Sequence, residues 1–327
     1  MVSTIRRVAV LTGGTDGPGM NAAIRAAVRS SLEVGWSVLG VRHGFSGLLR
    51  GDYVPLDSRS VSHRIDKGGT LLGTSQQESL ATAAKVRQAL RSLNEERVDA
   101  LVSIGGDVSA RGGVALGDAG FPVTLIPATI ENDLWGTDLA VGVDTAINTA
   151  MDVIDRIKDT ASSQQQAFVV ETAGARSGYL ALMVAIVAGA EIACLPESSP
   201  SLEDIAREVS SAYVRGKEHC IVVVAEGAHP DARAIQQYLV ERSQETGFEA
   251  HLTMLGHIQR GGSPTAKDRY LATLLGTRAV QALAEGERGV MAGLVSGGVA
   301  LIPLRDVVSR RPEIDPMYVE LADTLAR

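Results

Sequence analysis

The chain has 327 residues, of which 45% are hydrophobic, so it is long enough for two domains with buried cores. Its formal net charge of −7 and its lack of Lys or Arg runs argue against nucleic acid or an anionic membrane as the main partner. Its two cysteines, Cys194 and Cys220, lie in apolar stretches, which argues against a disulfide framework and fits a reducing compartment. No stretch has the length of a signal sequence or a membrane span, so we expect a cytoplasmic protein.

Apolar, β-branched stretches alternate with helical patterns along the whole chain. Continuous apolar strands are typical of parallel sheets covered by helices on both faces, which predicts a doubly wound α/β fold. The predicted strands are 7–12, 37–41, 100–104, 121–126, 167–171 and 220–226. The predicted helices are roughly 20–34, 76–93, 109–119, 144–160, 177–189, 201–214, 232–245 and 267–285.

No long linker divides the chain, so the domain boundary is expected between two consecutive sheets. The first sheet is predicted over 1–142 and the second over 143–258. A late Gly-rich stretch, GLVSGGVALIPL, can return to complete the first domain. The predicted domains are therefore 1–142 with about 259–305, and 143–258 with about 306–327.

Four loops follow predicted strands at the ends where ligands of such folds bind. They are GGTDGPGMN (13–21), GGDVSARGG (105–113), PATIENDLWGTD (127–138) and TAGARSG (172–178). Glycine lets the backbone approach phosphate oxygens, and the carboxylates of Asp107, Glu131 and Asp133 can supply a base and ligands for Mg²⁺. Any one of these loops is equally well an ordinary turn. Three of them on one sheet edge favour phosphoryl transfer, and the chain lacks both a P-loop and a complete GxGxxG fingerprint.

Longer segments resemble the 6-phosphofructokinase family, of the bacterial ATP-dependent type, over nearly the whole chain. They are LTGGTDGPGMNAAIRAAVR, GGTLLGTS, SIGGDVS, PATIENDLWGTD, DTAINTAMDVIDRIKDTASS, VVAEGA and LGHIQRGGSPTAKDR. The resemblance implies the phosphofructokinase fold of two Rossmann-like domains. It also implies a homotetramer or homodimer, with donor phosphates on the first domain, sugar phosphate on the second, and the active site between them.

The resemblance also assigns catalytic and donor residues. Glu131 stands where the family's TIDND loop has its catalytic Asp, Asp133 and Asp107 stand at magnesium-associated positions, and Thr129 belongs to the same loop. The donor (nucleotide) positions are Gly14, Thr15, Phe45, Gln76, Gly106, Asp107, Val108 and Ser109. Four of these are changed from the family. Thr15 and Val108 replace glycine, Phe45 is the aromatic partner of the donor site, and Gln76 replaces an arginine that neutralises transition-state charge. Val108 is expected to crowd a nucleotide phosphate.

The acceptor positions depart from the family more than the effector-like positions do. The predicted sugar-phosphate positions are Gln166, Arg176, Glu226, His251, His257 and Arg260. Gln166, Ala175 and His251 replace family arginines, and Arg176 can substitute for the one lost at Ala175. The effector-like positions are better kept, except for Ser58, and comprise Arg25, Arg29, Lys158, Glu191, Arg215 and Lys217. An ordinary solvated basic face explains these residues equally well.

Three functions remain open after this comparison. The first, which the retained carboxylates favour, is a Mg²⁺-dependent transfer of a phosphoryl, or a pyrophosphoryl, group from ATP to a hydroxyl of a sugar phosphate or related polyol. It differs from the usual family reaction in its acceptor or in the phosphorus attacked. The second is a ligand-binding or regulatory protein with little catalysis. The third is an ordinary 6-phosphofructokinase using ATP or pyrophosphate. ATP is the favoured donor, because pyrophosphate-dependent members carry Asp where Val108 stands and Lys where Ala128 stands.

Overall fold

The computed structural model describes residues 5–75 and 80–326, and these form two compact units. Unit 1 consists of Met1–Thr129, Asp133–Thr145 and Arg260–Pro312. Unit 2 consists of Ile130–Asn132, Ala146–Gln259 and Glu313–Arg327. The chain therefore leaves and re-enters each unit, and the segment that contains Glu131 belongs to unit 2.

Strands and helices alternate in the described residues, as the apolar pattern predicted. The strands are β1 (Arg7–Gly13), β2 (Ser37–Val41), β3 (Tyr53–Leu56), β4 (Ala100–Gly105), β5 (Val123–Pro127), β6 (Gln166–Thr172), β7 (Ile192–Cys194), β8 (Cys220–Ala225), β9 (Glu249–Met254), β10 (Val290–Val295) and β11 (Gly298–Pro303). The helices are α1 (Met20–Glu33), α2 (Gly44–Arg50), α3 (Ala83–Glu95), α4 (Asp107–Asp118), α5 (Val143–Gln164), α6 (Tyr179–Ala188), α7 (Leu202–Val214), α8 (Ala232–Glu241), α9 (Ser243–Thr246), α10 (Ala266–Glu285), α11 (Leu304–Ser309) and α12 (Pro316–Leu325).

Unit 1 is built on a seven-stranded sheet in the order β11-β10-β5-β4-β1-β2-β3. Its five central strands are parallel, whereas β3 and β11 pair antiparallel at the two edges. Strands β1 and β4 are buried along almost their whole length, which is why their sequences are continuously apolar. The parallel register brings the carboxyl ends of β1, β4 and β5 to one edge of the sheet.

Unit 2 is built on a four-stranded parallel sheet in the order β7-β8-β6-β9. Helix α6 is apolar on all sides and packs into a core with β6 and β8, while α7 and α8 cover a second core. The predicted α/β class, with two largely parallel sheets, is thus confirmed.

Local sequence signals explain where several helices begin. The side chains of Thr82, Ser201, Asp231 and Thr265 each accept a backbone N–H three residues later and so cap α3, α7, α8 and α10. Helix α3 therefore begins at Ala83, well after the predicted start at 76. No helix in the part of the chain that the structure describes is long and apolar enough to cross a membrane.

Candidate active site

Glycines allow the ends of β1 and β4 to approach each other closely. Gly105 has φ of +153°, and a Cβ atom there would overlap the carbonyl oxygen of Gly13. Gly14 follows with φ of +80°, which an L side chain adopts only with strain. The loop after β1 therefore lies directly beside the start of α4, where the helix dipole favours negative charge.

Two side chains at predicted donor positions, Ser109 and Phe45, pack beneath this loop. The Ser109 hydroxyl is fully buried and donates to the carbonyl oxygens of Gly13, at 3.2 Å, and Ile104, at 3.3 Å. The Phe45 ring is also fully buried in the core of unit 1, and a Cβ atom at Gly112 would overlap it. The ring thus packs beneath the loop after β1, and the role of Phe45 at the donor site stays a prediction.

Val108 stands where the resemblance expects glycine, and it lies against the loop after β1. A Cβ atom at Gly14 would lie 3.6 Å from the Val108 Cβ, so the isopropyl group covers the Gly14 backbone. Val108 is partly buried and also packs against the core of unit 1. Thr15, the next departure, is half-buried in the same loop, whereas Gln76 lies outside the described residues. Crowding of a nucleotide phosphate by Val108 stays a prediction.

Asp107, at the first turn of α4, is paired with a residue that the sequence analysis missed. The Arg111 Nε donates to both carboxylate oxygens of Asp107, at 3.0 and 2.9 Å. The Asp107 side chain is 23% exposed and the Arg111 side chain 57% exposed. The i, i+4 spacing of acid and base on one helix was the signal that predicts this pair.

The loop after β5 carries a second carboxylate of unit 1. Thr129 packs against Gly106, since a Cβ atom on that glycine would lie 3.4 Å from the Thr129 Cβ. The Thr129 hydroxyl donates to Asp133 Oδ1 at 3.2 Å. Gly106 directly precedes Asp107, so the loops that carry Asp107 and Asp133 lie side by side.

These two carboxylates suit a magnesium ion that arrives with a phosphorylated donor. Mg²⁺ prefers hard oxygen ligands and commonly takes one or two carboxylates, completing its shell with water and phosphate. Among the residues described, no cluster of three or more His, Cys, Asp or Glu forms an all-protein metal cage. The donor set of Asp107 and Asp133 therefore fits magnesium and does not suggest a structural metal.

Glu131 has a defined partner within unit 2. Its Oε2 accepts the backbone N–H of Ala175 at 3.2 Å, and its side chain is half-buried. Gln259 holds the same loop after β6. This residue is fully buried, and its Oε1 accepts the Ala173 N–H at 2.8 Å. Sequence reasoning missed Gln259, because no local pattern marks a buried amide that bonds a distant loop.

The predicted acceptor residues of unit 2 lie on or after β6, β8 and β9. Register pairs Phe168 with His251, and their rings lie 5.3 Å apart. Gln166, at the start of β6, donates from its amide to Gln164 at 2.9 Å. Glu226 is exposed just after β8, and its charge adds to burial in raising the pKa of Glu171. Arg176 and His257 are exposed, whereas Arg260 belongs to unit 1.

The effector-like residues occur in both units and mostly have internal partners. On α1, burial and the neighbouring charge of Arg29 lower the pKa of Arg25. In unit 2, Lys217 Nζ bonds Glu191 Oε1 at 2.9 Å and the Ala326 carbonyl at 3.0 Å. Lys158 donates to the Ala188 carbonyl, and Arg215 forms an ion pair with Glu208. Only Lys217 and Glu191, among the six, are joined by a hydrogen bond in the described residues.

Comparisons with known proteins agree with these two units and loops. Residues 7–283 match the family model described as phosphofructokinase. The chain belongs to the phosphofructokinase family. It is 45% identical over 323 residues to the "ATP-dependent 6-phosphofructokinase 1" of Thermus thermophilus, covering 98% of this chain and all of that protein. It is 44% identical, with the same coverage, to the ATP-dependent 6-phosphofructokinase of Thermotoga neapolitana.

Solved structures show the same fold. The T-state phosphofructokinase of Pichia pastoris matches with a TM-score of 0.88 and 30% identity, over 94% of this chain and 36% of that one. The pyrophosphate-dependent phosphofructokinase of Nitrosospira multiformis matches with a TM-score of 0.85 and 19% identity, over 98% of this chain and 92% of that one. Both bacterial relatives are named as ATP-dependent 6-phosphofructokinases, which is the third of the three functions that the sequence left open.

Proposed function

We propose that the protein transfers a phosphoryl group from ATP to a hydroxyl of fructose 6-phosphate. The observation that carries this proposal is the pair of carboxylates, Asp107 and Asp133, at neighbouring strand ends of a chain that is 45% identical to an ATP-dependent 6-phosphofructokinase. Three backbone features support the same chemistry: the glycines after β1, the start of α4, and the close approach of Gly105 to Gly13.

Each site residue has a distinct task in such a transfer. Asp107 and Asp133 would hold Mg²⁺, which when bound neutralises charge on the donor phosphates. Thr129 fixes the Asp133 carboxylate through its hydroxyl. Glu131 accepts the proton of the attacking hydroxyl, and the Ala175 N–H orients its carboxylate. The Gly-rich loop after β1 and the start of α4 position the donor phosphates.

The acceptor side of this proposal predicts weak affinity. Gln166, Ala175 and His251 stand where the family places arginines, and a lost charge-assisted hydrogen bond costs about 1.5–3 kcal/mol. The His251 ring is packed near Phe168, and its Nε2 is buried without a hydrogen bond among the described residues. Arg176, next to Ala175, is exposed and is the replacement cation on this loop. We expect a high KM for fructose 6-phosphate.

The same substitutions support a second candidate, transfer from ATP to a different phosphorylated sugar or polyol. Phosphorus NMR distinguishes the two, because it identifies both the cleaved donor bond and the product linkage. The assay combines ATP or pyrophosphate, Mg²⁺ and single acceptors from a panel of hexose phosphates. Fructose bisphosphate formed from ATP and fructose 6-phosphate supports the main proposal.

Other results of the panel have equally definite meanings. A phosphorylated product with another acceptor only would support the second candidate. Tight nucleotide binding by calorimetry with no product from any acceptor would support a ligand-binding protein. Product from pyrophosphate alone would show that the donor assignment is wrong.

A further inference from the structure

Arg111 lies where a magnesium ion has to bind, if Asp107 is a metal ligand as the proposed function requires. Its Nε bonds both oxygens of the Asp107 carboxylate, at 3.0 and 2.9 Å. Both residues lie on α4, four positions apart, so the contact is set by the helix itself. The arginine thus covers the same two oxygens that a metal would use.

We propose that Arg111 competes with the divalent cation for Asp107 and thereby sets the metal concentration that the donor site needs. The pair is only partly buried, with the guanidinium side chain 57% exposed. Exposed ion pairs of this kind are weak, so a divalent cation accompanied by donor phosphates can displace the arginine. Arg111 is therefore a displaceable positioning residue that keeps the Asp107 carboxylate ordered before the metal arrives.

The positive charge of Arg111 also weakens binding of the divalent cation. A unit positive charge about 5 Å from a divalent cation weakens its binding on the order of tenfold, even with water-like screening. Once displaced, the guanidinium remains on the long side chain at the second turn of α4, close to where donor phosphates bind. A planar cation at this place suits phosphate oxygens.

The test measures metal affinity directly and does not depend on turnover. Mn²⁺ is titrated, with its free concentration followed by electron paramagnetic resonance, into protein saturated with the non-hydrolysable ATP analogue AMP-PNP. Arg111→Met is expected to lower the Kd for Mn²⁺ by about tenfold. Arg111→Lys, which keeps a positive charge but loses the two-oxygen contact, is expected to fall between Arg111→Met and the wild type.

Two controls separate competition at Asp107 from a general loss of charge. Arg305 pairs with Asp118, at the far end of the same helix, at 2.7 Å. Arg305→Met removes the same charge and should leave the Kd for Mn²⁺ unchanged. In an Asp107→Asn background, adding Arg111→Met should tighten binding by less than in the wild type, since the competed carboxylate is gone. Thermal unfolding of each variant checks that α4 is intact, with Arg111→Gln as a second variant.

Specific results would overturn this proposal without touching the proposed function. They are equal Kd values for wild type and both Arg111→Met and Arg111→Gln, or an equal shift from Arg305→Met. A tenfold shift confined to the Arg111 variants supports the competition even if no phosphorylated sugar is ever detected. Turnover of fructose 6-phosphate with unchanged Kd values would retain the function and reject the role of Arg111.

Discussion

Replacing Glu131 by Gln tests the base of the proposed reaction most directly. Gln keeps the length of the side chain and an oxygen that can accept the Ala175 N–H, which the wild-type carboxylate binds at 3.2 Å. An amide does not accept the proton of a hydroxyl, so the loss falls on the chemical step. Removal of a general base typically costs 10²–10⁴-fold, or about 2.7–5.5 kcal/mol of transition-state stabilisation. We expect kcat to fall by this factor with little change in KM.

Replacing Glu131 by Asp gives a different expectation from the same geometry. One methylene fewer retracts the carboxylate by about 1 Å, which opens the contact with the Ala175 nitrogen to about 4 Å, beyond hydrogen-bond range. A base misplaced by that distance loses up to about 10²-fold in rate. Glu131→Asp should therefore lower activity, even though it restores the family's usual residue.

The assay is steady-state kinetics with ATP and the acceptor found by phosphorus NMR, on the wild type and both variants. Glu241→Gln serves as the control, because it removes a similar charge from an exposed position at the end of α8. Full activity of Glu131→Gln would place the base elsewhere and reject the mechanism. Strongly increased fructose 6-phosphate phosphorylation by Glu131→Asp would identify a phosphofructokinase disabled at this one position.

Three further predictions follow from the site and the charges around it. Asp107→Ala and Asp133→Ala should each weaken Mg-nucleotide binding, measured by calorimetry. Unfolding temperatures should stay near the wild-type value, because Asp107 lies in the first turn of α4 and Asp133 in the loop after β5. Unchanged affinity in both variants would count against the metal site. The protein should be a dimer or tetramer by light scattering, with Arg25 near the subunit boundary, and a stable monomer at micromolar concentration would contradict this. Burial, followed by the charge of Glu226, raises the pKa of Glu171. Glu226→Gln should therefore lower the pKa of Glu171 in a carbon NMR titration. An unchanged value would show that Glu226 does not contribute.

The local sequence predicted the parts of the fold that local physics controls. Strands buried on both faces, such as β1 and β4, have to be continuously apolar, so the sequence identifies them without knowledge of the neighbouring strands. The glycines of the loop after β1, and the carboxylates of Asp107 and Asp133, are short-range signals of the same kind. The pairing of Asp107 with Arg111 was also readable, since helix geometry alone sets it.

Only the tertiary structure decided the features that depend on distant partners. Edge strands β3 and β11 are partly exposed, and their place in the sheet is fixed by antiparallel pairing with β2 and β10. The packing of the Phe45 ring against Gly112 is of the same kind, because no sequence pattern reports which face of an aromatic residue is covered. The Ala175 N–H that orients Glu131 is 44 residues away in the chain. Such contacts form because folding brings separate loops together at the ends of strands, and the residue types alone do not specify which loops meet.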